Sequence, residues 1–409
     1  MLRDFLVEAL VTGTSAGCGV SLPLGRATTH GPARSGVAAR LGGRITTPSG
    51  SSIDAGGSVW PTAIYWTLVQ IGTPPQDFPV AIDSGSGDLD VGGKGCKGCV
   101  TTAQNRGYDP TASSTSQKAA PYNFSNTYET CDLKHPTAPC TITGDIYSDQ
   151  VGMAGLGFVD VKVGSIMTQD SNFDQFKEID GVVGFTRNGK DGEGVFRNLV
   201  AAGKAYNAWA MCMHEGSHSN GTITIGGVDG RLSDGPIQYV PDTGDGDYEV
   251  KVETLVLGET TIKLNQNSIL DTGTNILLLP SKMLAEVNKQ MCADSSLTSC
   301  SDLWANKCVS LTEAQVDAFP SLTLRLTGGV DLVMTSRDYL LLGSPVAHAS
   351  GEFCLGIRDG GSLFIIGDTT MRHYYLVFDL AAKRIGWGKV NKDTCGSDLS
   401  AEVQTEMVV

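Results

Sequence analysis

The sequence predicts a mainly β protein built as two related β lobes, with a few short helices and a cleft between the lobes. Three observations predict it. From Ile64 onward, short alternating apolar runs are punctuated by Gly, Pro and Asp, as in 65–72 (YWTLVQIG), 78–83 (FPVAID), 222–227 (TITIGG) and 322–326 (LTLRL), which is the period of half-buried strands. Glycine makes up 51 of the 409 residues without a collagen-like repeat, so turns are many. Two motifs also recur in the same order. Ala81-Ile82-Asp83-Ser84-Gly85-Ser86 returns 188 residues later as Ile269-Leu270-Asp271-Thr272-Gly273-Thr274, and Val182-Val183-Gly184 returns 183 residues later as Ile365-Ile366-Gly367. A single Asp-Thr-Gly is an ordinary turn, but an ordered pair of pairs marks a duplicated lobe.

In chain order, residues 1–60 read as a leader or prosegment outside the mature fold. Arg3 precedes a weakly apolar stretch broken by Asp4 and Glu8, and 25–58 are rich in Gly, Ser, Thr and Arg with almost no apolar periodicity. The first lobe is expected at 61–235, the second at 236–398, and a tail at 399–409. Helical spacing is confined to 193–205 and 280–291, the latter opening on Pro280-Ser281.

Composition narrows the class. With 41% hydrophobic and 18% charged residues the chain is soluble and globular, and no apolar run approaches the roughly 18 residues of a membrane helix. A net charge of −14 disfavours nucleic acid and anionic membrane as partners. Among eleven cysteines, Cys96/Cys99, Cys131/Cys140 and Cys292/Cys300 lie close together in turn-rich sequence where short bridges can close. That pattern points to an oxidising compartment. The acceptor triplets at Asn123 and Asn220 add weak support for the secretory route, ending outside the cell or in an acidic lysosome- or vacuole-like compartment.

Metal is not expected. The Cys96/Cys99 pair has no second paired knuckle. His214-Glu215-Gly216-Ser217-His218 has the zinc-protease spacing, but Gly216, Ser217 and Gly221 suit a hairpin loop rather than the helix the motif needs. Asp242, Asp245 and Asp247 imitate a calcium loop with glycines at positions that should be ligands, so a solvated turn is expected there.

The repeated loops carry a specific chemistry. An apolar strand ending in Asp-Ser/Thr-Gly sets a carboxylate on a tight turn, where backbone N–H groups and hydroxyls can hold it. Two such loops face to face would bring Asp83 and Asp271 together, and like charges that close cannot both ionise. Such a pair shares one proton, so one carboxylate can deprotonate water while the other protonates a carbonyl oxygen.

From about Tyr65 to Gly388 the sequence resembles the pepsin-like aspartic endopeptidases. The resemblance rests on the two aspartate loops together with Ile71-Gly72-Thr73-Pro74-Pro75-Gln76, Tyr108-Asp109-Pro110, Ser113-Ser114-Thr115, Asp180-Gly181-Val182-Val183-Gly184, Gly226-Gly227-Val228-Asp229, Ile366-Gly367-Asp368 and 374–379 (YYLVFD). It implies a bilobal acid protease that acts on extended polypeptides as a monomer without a cofactor. It further implies catalytic Asp83 and Asp271, supported by Ser84, Gly85, Ser86, Thr272, Gly273 and Thr274. Ser84 and Thr272 would make hydroxyl contacts between the lobes, and Ser86 and Thr274 would bind the outer carboxylate oxygens. The family's flap tyrosine matches Tyr128, and its disulfides match Cys308–Cys354 and, in beta-secretase-like members, Cys212–Cys395. With the three close pairs these use ten cysteines and leave Cys18, which supports removal of the leader.

Two departures stand out. A Cys131–Cys140 insertion occupies the flap tip, and a bridge there would restrict the unfolded loop by roughly 2 to 3 kcal/mol, giving a stiffer flap. Where the family reads Leu-Trp-Val six residues after the first aspartate, this chain has Leu89-Asp90-Val91, so Asp90 replaces the tryptophan. Either the Tyr128 hydroxyl donates to Asp90, or a third carboxylate joins the coupled titration. The alternative from another class is a non-catalytic pepsin-like binding or inhibitor protein, which the intact aspartate loops oppose. A two-carboxylate glycosidase lacks a sugar-stacking aromatic cluster near either motif, and aromatics are only 7% of the chain.

Overall fold

A computed structural model describes residues 51–58, 64–99, 107–128, 140–170, 179–186, 194–214, 220–344 and 347–397. The protein is mainly β with few helices. Period-two sequence becomes strand where one face can be buried: Ile64–Ile71 turns Thr67, Val69 and Ile71 inward and Leu68 and Gln70 outward.

Among the described residues, thirteen strands form one continuous sheet. Its first part runs Gln238–Pro241, Arg384–Lys389, Tyr374–Asp379, Ala208–Met213, Asn220–Ile225, Ser51–Ser58. Strands from the two halves of the chain therefore join in one layer, Tyr374–Asp379 pairing with Ala208–Met213. The sheet continues into the first half through Ile64–Ile71, Gln76–Asp83, Gly181–Gly184, Leu89–Lys97, Phe158–Gln169, Cys140–Met153 and Gln117–Tyr128. A seven-stranded sheet built around Glu249–Leu257 and Thr260–Leu270 forms the second half.

The sequence repeat is also a repeat of register. Gln76–Asp83 pairs in parallel with Gly181–Gly184, setting Ile82 beside Val183, and Thr260–Leu270 pairs in parallel with Ile365–Ile366, setting Leu270 beside Ile366. The glycine ending each short strand lies where the aspartate loop presses down. A Cβ at Gly184 would come within 2.5 Å of the Ser86 carbonyl oxygen, and one at Gly367 would overlap the carbonyls of Thr274 and Ile276.

Four buried rings join the halves. Trp209 stacks on Phe378 with centroids 4.0 Å apart, Phe185 lies 4.6 Å from Trp209, and the Trp209 indole donates to the Tyr248 hydroxyl at 3.0 Å, which donates to the Phe185 carbonyl at 2.7 Å. Buried aromatics combine large apolar area with a polar handle that must be paired, so this cluster sets how the halves meet. Disulfides join Cys96–Cys99, Cys212–Cys395, Cys292–Cys300 and Cys308–Cys354. Cys212–Cys395 spans 183 residues, where loop-closure entropy is worth about 5 kcal/mol in the chain-entropy model. Cys140 is also disulfide-bonded; Cys131 and Cys18 lie outside the described residues.

The span expected as leader, residues 1–60, includes eight residues that pair into the sheet. Ser51–Ser58 is a strand between Asn220–Ile225 and Ile64–Ile71, with Ile53 and Ala55 buried and the Ser52 hydroxyl 2.7 Å from that of Thr224. Its Ser- and Gly-rich composition reads as coil, but pairing on both edges satisfies its backbone and holds it as strand. Helices occur at Val195–Ala201 and Ser281–Met291, within the two spans with helical spacing. No helix among the described residues is long and apolar enough to cross a membrane.

Candidate active site

Each half supplies one carboxylate from the end of a strand. At the turn that follows, the Gly85 N–H donates to Asp83 Oδ1 and the Gly273 N–H donates to Asp271 Oδ1, both at 2.8 Å. The Ser86 and Thr274 hydroxyls donate to the respective Oδ2 atoms, both at 2.5 Å. Two donors thus fix each carboxylate on its own loop. The loops press on each other: a Cβ at Gly85 would lie 2.7 Å from Asp271 Cγ, and one at Gly273 would lie 2.8 Å from Asp83 Oδ1. Any side chain there would push the carboxylates apart.

Beneath them the loops lock together. Ser84 Oγ donates to the Leu270 carbonyl at 2.7 Å and accepts from the Thr272 N–H at 2.9 Å. Thr272 Oγ1 donates to the Ile82 carbonyl at 2.7 Å and accepts from the Ser84 N–H at 3.0 Å. A hydroxyl both donates and accepts, so these two side chains close a ring of four hydrogen bonds in a fully buried layer. The pair above it is nearly dry, with Asp83 6% and Asp271 9% exposed. Burial first, and then the negative charge of Asp271, push Asp83 well above the usual carboxylate range; the Ser86 hydroxyl works against that shift.

Above the pair a cavity of about 340 Å³ lies between the halves. Tyr128, Thr127 and Asn126 from the strand Gln117–Tyr128 cover one side, and Ile269, Leu363 and Ile365 form an apolar wall. Burial, then the charges of Asp90, Asp83 and Asp88, raise the Tyr128 phenol well above its usual value, so it remains protonated. Its hydroxyl donates to Asp90 Oδ2 at 3.3 Å. The same oxygen accepts from the Asn126 side-chain amide at 2.9 Å. The tip following Tyr128, with Glu129, Thr130 and Cys131, lies outside the described residues.

Other groups fall in unforeseen places. Asp247, expected in a solvated turn, lines the cavity, and burial followed by the charges of Glu249, Asp271 and Asp245 raises its pKa. Asp242 accepts from the Gly244 and Glu249 N–H groups and shapes that turn. Asp368 is 2% exposed behind Asp271, neither of its carboxyl oxygens finds a partner among the described residues, and burial pushes its pKa well up. Asp149 is equally buried but accepts from Tyr108, Ser113, Thr115 and its neighbour's N–H, and so holds a turn in place. Sequence reasoning passed over Asn126 although it stands two residues before Tyr128 on the same face of a strand, a spacing that could have flagged it. Asn123 is exposed on that strand; the Asn220 side chain and Glu215–Ser219 lie outside the described residues. No cluster of three or more metal-ligating side chains occurs among the described residues.

Comparison with known proteins adds an independent line. The family described as eukaryotic aspartyl protease matches residues 64–390. The chain is 24% identical over 332 residues to pepsin A of Suncus murinus, covering 80% of this chain and 81% of that protein. It is 25% identical over 337 residues to pepsin A of Sus scrofa, with 80% and 81% covered. It is 28% identical over 343 residues to the probable vacuolar protease A of Trichophyton verrucosum (strain HKI 0517), with 80% and 78% covered.

Proposed function

The chain belongs to the eukaryotic aspartyl protease family and is an aspartic endopeptidase, and from that premise we propose that it hydrolyses peptide bonds of extended polypeptides at acidic pH with a water activated between Asp83 and Asp271. The observation that carries this is the paired geometry: two carboxylates on interlocked loops, each fixed by a glycine N–H and a hydroxyl, under a cavity between the halves.

The ionised member of the pair takes a proton from water as it attacks the scissile carbonyl. The protonated member gives its proton to the carbonyl oxygen. The resulting tetrahedral intermediate collapses when the carboxyl that gained the water proton protonates the leaving nitrogen; the C–N bond breaks as one hydroxyl of the intermediate returns its proton to the other carboxylate, which restores the pair. Ser84 and Thr272 keep the loops in register through these steps, while Ser86 and Thr274 orient the outer oxygens so that the inner ones face the water. Tyr128 belongs to the flap that covers the substrate, and Asp90 lies beneath it on the strand Leu89–Lys97. Acidic conditions suit the site because a neutral medium would strip the shared proton and leave two buried charges side by side.

The enzyme acts as a monomer in the secretory pathway, and its disulfides and the exposed Asn123 acceptor support that route. A leader reaching to about Trp60 is removed from the mature protein, and N-terminal sequencing of secreted material tests this, with a mature chain beginning near Met1 counting against it. The mechanism is tested by incubating the protein with denatured haemoglobin from acidic to neutral pH, with and without a statine-type inhibitor. Inhibitor-sensitive cleavage with an acidic optimum is expected. Its absence at every pH would favour the non-catalytic binding protein.

A further inference from the structure

Two side chains beneath the flap converge on one buried oxygen. Asp90 is 2% exposed on the strand Leu89–Lys97, and its Oδ2 accepts from both the Asn126 amide at 2.9 Å and the Tyr128 hydroxyl at 3.3 Å. Asn126 and Tyr128 alternate along Gln117–Tyr128 and so share a face, and both line the cavity. Room for the carboxylate comes from the neighbouring strand. Asp90 pairs with Gly164, where a Cβ would overlap Asp90 Oδ1 and crowd the Phe124 ring. A tight, dry pocket therefore holds the acceptor in one place, and the shorter bond from Asn126 sets which oxygen faces the flap.

A phenol has one proton. Donated to Asp90, it points into the lobe and leaves only lone pairs directed at the cavity. We propose that Asn126 and Asp90 form a positioning pair that turns the Tyr128 hydroxyl away from the cleft, so that Tyr128 meets the bound polypeptide as a hydrogen-bond acceptor for a backbone N–H. Asn126 touches no reacting atom and acts through Tyr128. The inference rests on the cavity being the substrate cleft, as proposed above. The remaining groups around it reinforce the acceptor character: Asp83, Asp88, Asp247 and Asp271 line the same space, and among the described residues no lysine, arginine or histidine does. A chain threading the cleft must supply donors to that wall, and an extended backbone has one N–H per residue.

The test uses the full-length, matured enzyme and a peptide substrate that it cleaves. Kinetic constants are measured for wild type, Asn126→Leu, Tyr128→Phe and the double variant. Asn126→Leu is expected to raise KM about tenfold, the worth of one hydrogen bond, and to change kcat far less. In the Tyr128→Phe background the same substitution should have little further effect. The second arm replaces single backbone amides near the scissile bond by esters, which removes one N–H donor at a time. One ester should weaken wild type about tenfold and leave Tyr128→Phe indifferent. Additive effects in the four-variant cycle, or an ester series to which both enzymes respond alike, would overturn the proposal. The ester arm needs only Tyr128→Phe and so decides the question even where Asn126→Leu does not fold. Wild type failing to cleave any peptide would instead sink the proposed function itself.

Discussion

The two aspartate loops began as copies, and the differences between them are informative. Both hold a carboxylate with a glycine N–H and a hydroxyl, both lie beside a parallel partner strand, and each contributes one hydroxyl to the lock below. Past the glycine of the partner strand they diverge. After Gly184 comes Phe185, buried in the aromatic cluster between the halves, while after Gly367 comes Asp368, a buried carboxyl with no hydrogen-bond partner among the described residues. The first loop also faces the flap, with Asp88, Asn126 and Tyr128 lining the space above it, whereas the second faces the apolar Ile269, Leu363 and Ile365. Symmetry is kept where chemistry needs two matched carboxylates. It is lost at the cavity walls, polar over the first loop and apolar over the second.

The sharpest challenge to that symmetry is removal of either carboxylate. Asp83→Asn and Asp271→Asn should each reduce kcat by at least about a thousandfold, because neither loop can supply acid and base alone. Single-turnover assays on an oligopeptide decide it, and either variant cleaving near the wild-type rate would break the equivalence of the loops.

Next in size is the lock. Ser84→Ala and Thr272→Val each strand a buried N–H and a buried carbonyl, and each should cost about 2 to 4 kcal/mol in denaturant unfolding. The ring is shared, so the double variant should lose clearly less than the sum. Additive losses would mean that the two hydroxyls act separately.

A smaller effect separates the loops through Asp368. Its folded pKa lies above the unfolded value, so its contribution to stability is fully present below the unfolded value and is lost as pH rises through the folded one. Asp83 has the same sign. The protein should therefore be most stable in acid and lose stability from mildly acidic toward neutral pH. Asp368→Asn should stabilise the protein at neutral pH by about 1 kcal/mol, which raises Tm by about 1 to 2 degrees in a chain of this size, and leave it little changed in acid. A Tm that rises between pH 4 and 7 in the wild type would reverse the sign and rule this out.

The smallest difference is between the outer hydroxyls. Ser86 is partly exposed and Thr274 is buried, so Thr274→Val should cost more stability than Ser86→Ala, by about 1 kcal/mol. Because the Ser86 hydroxyl holds the Asp83 pKa down, Ser86→Ala should move one limb of the pH–rate profile toward higher pH. An unmoved profile would show that the hydroxyl does not tune the pair.

Much of this site could be read from the chain because it is local. Asp83 and its Ser84-Gly85-Ser86 neighbours make their turn with their own backbone, and Asp271 does the same with Thr272-Gly273-Thr274, so four consecutive residues specify each carboxylate's first two hydrogen bonds. The repeat then says that such turns occur twice, and its matching offset says that each has the same partner strand. Strand alternation in 65–72 and helical spacing in 280–291 are equally local.

What the sequence by itself determined, then, is the mainly β class, the duplication and the chemistry of two matched aspartate turns, since propensity, period and turn geometry act over a few residues. Only the tertiary structure decided that Ser51–Ser58 is a strand, that Asn126 and Tyr128 share the Asp90 oxygen, that Asp247 faces the cleft and that Asp368 stands behind Asp271. Each of these depends on which distant strands become neighbours. A Ser- and Gly-rich segment is a strand only when both its edges are paired, and a carboxylate is an anchor, a cleft wall or a buried acid according to the donors and the water that other parts of the chain leave around it.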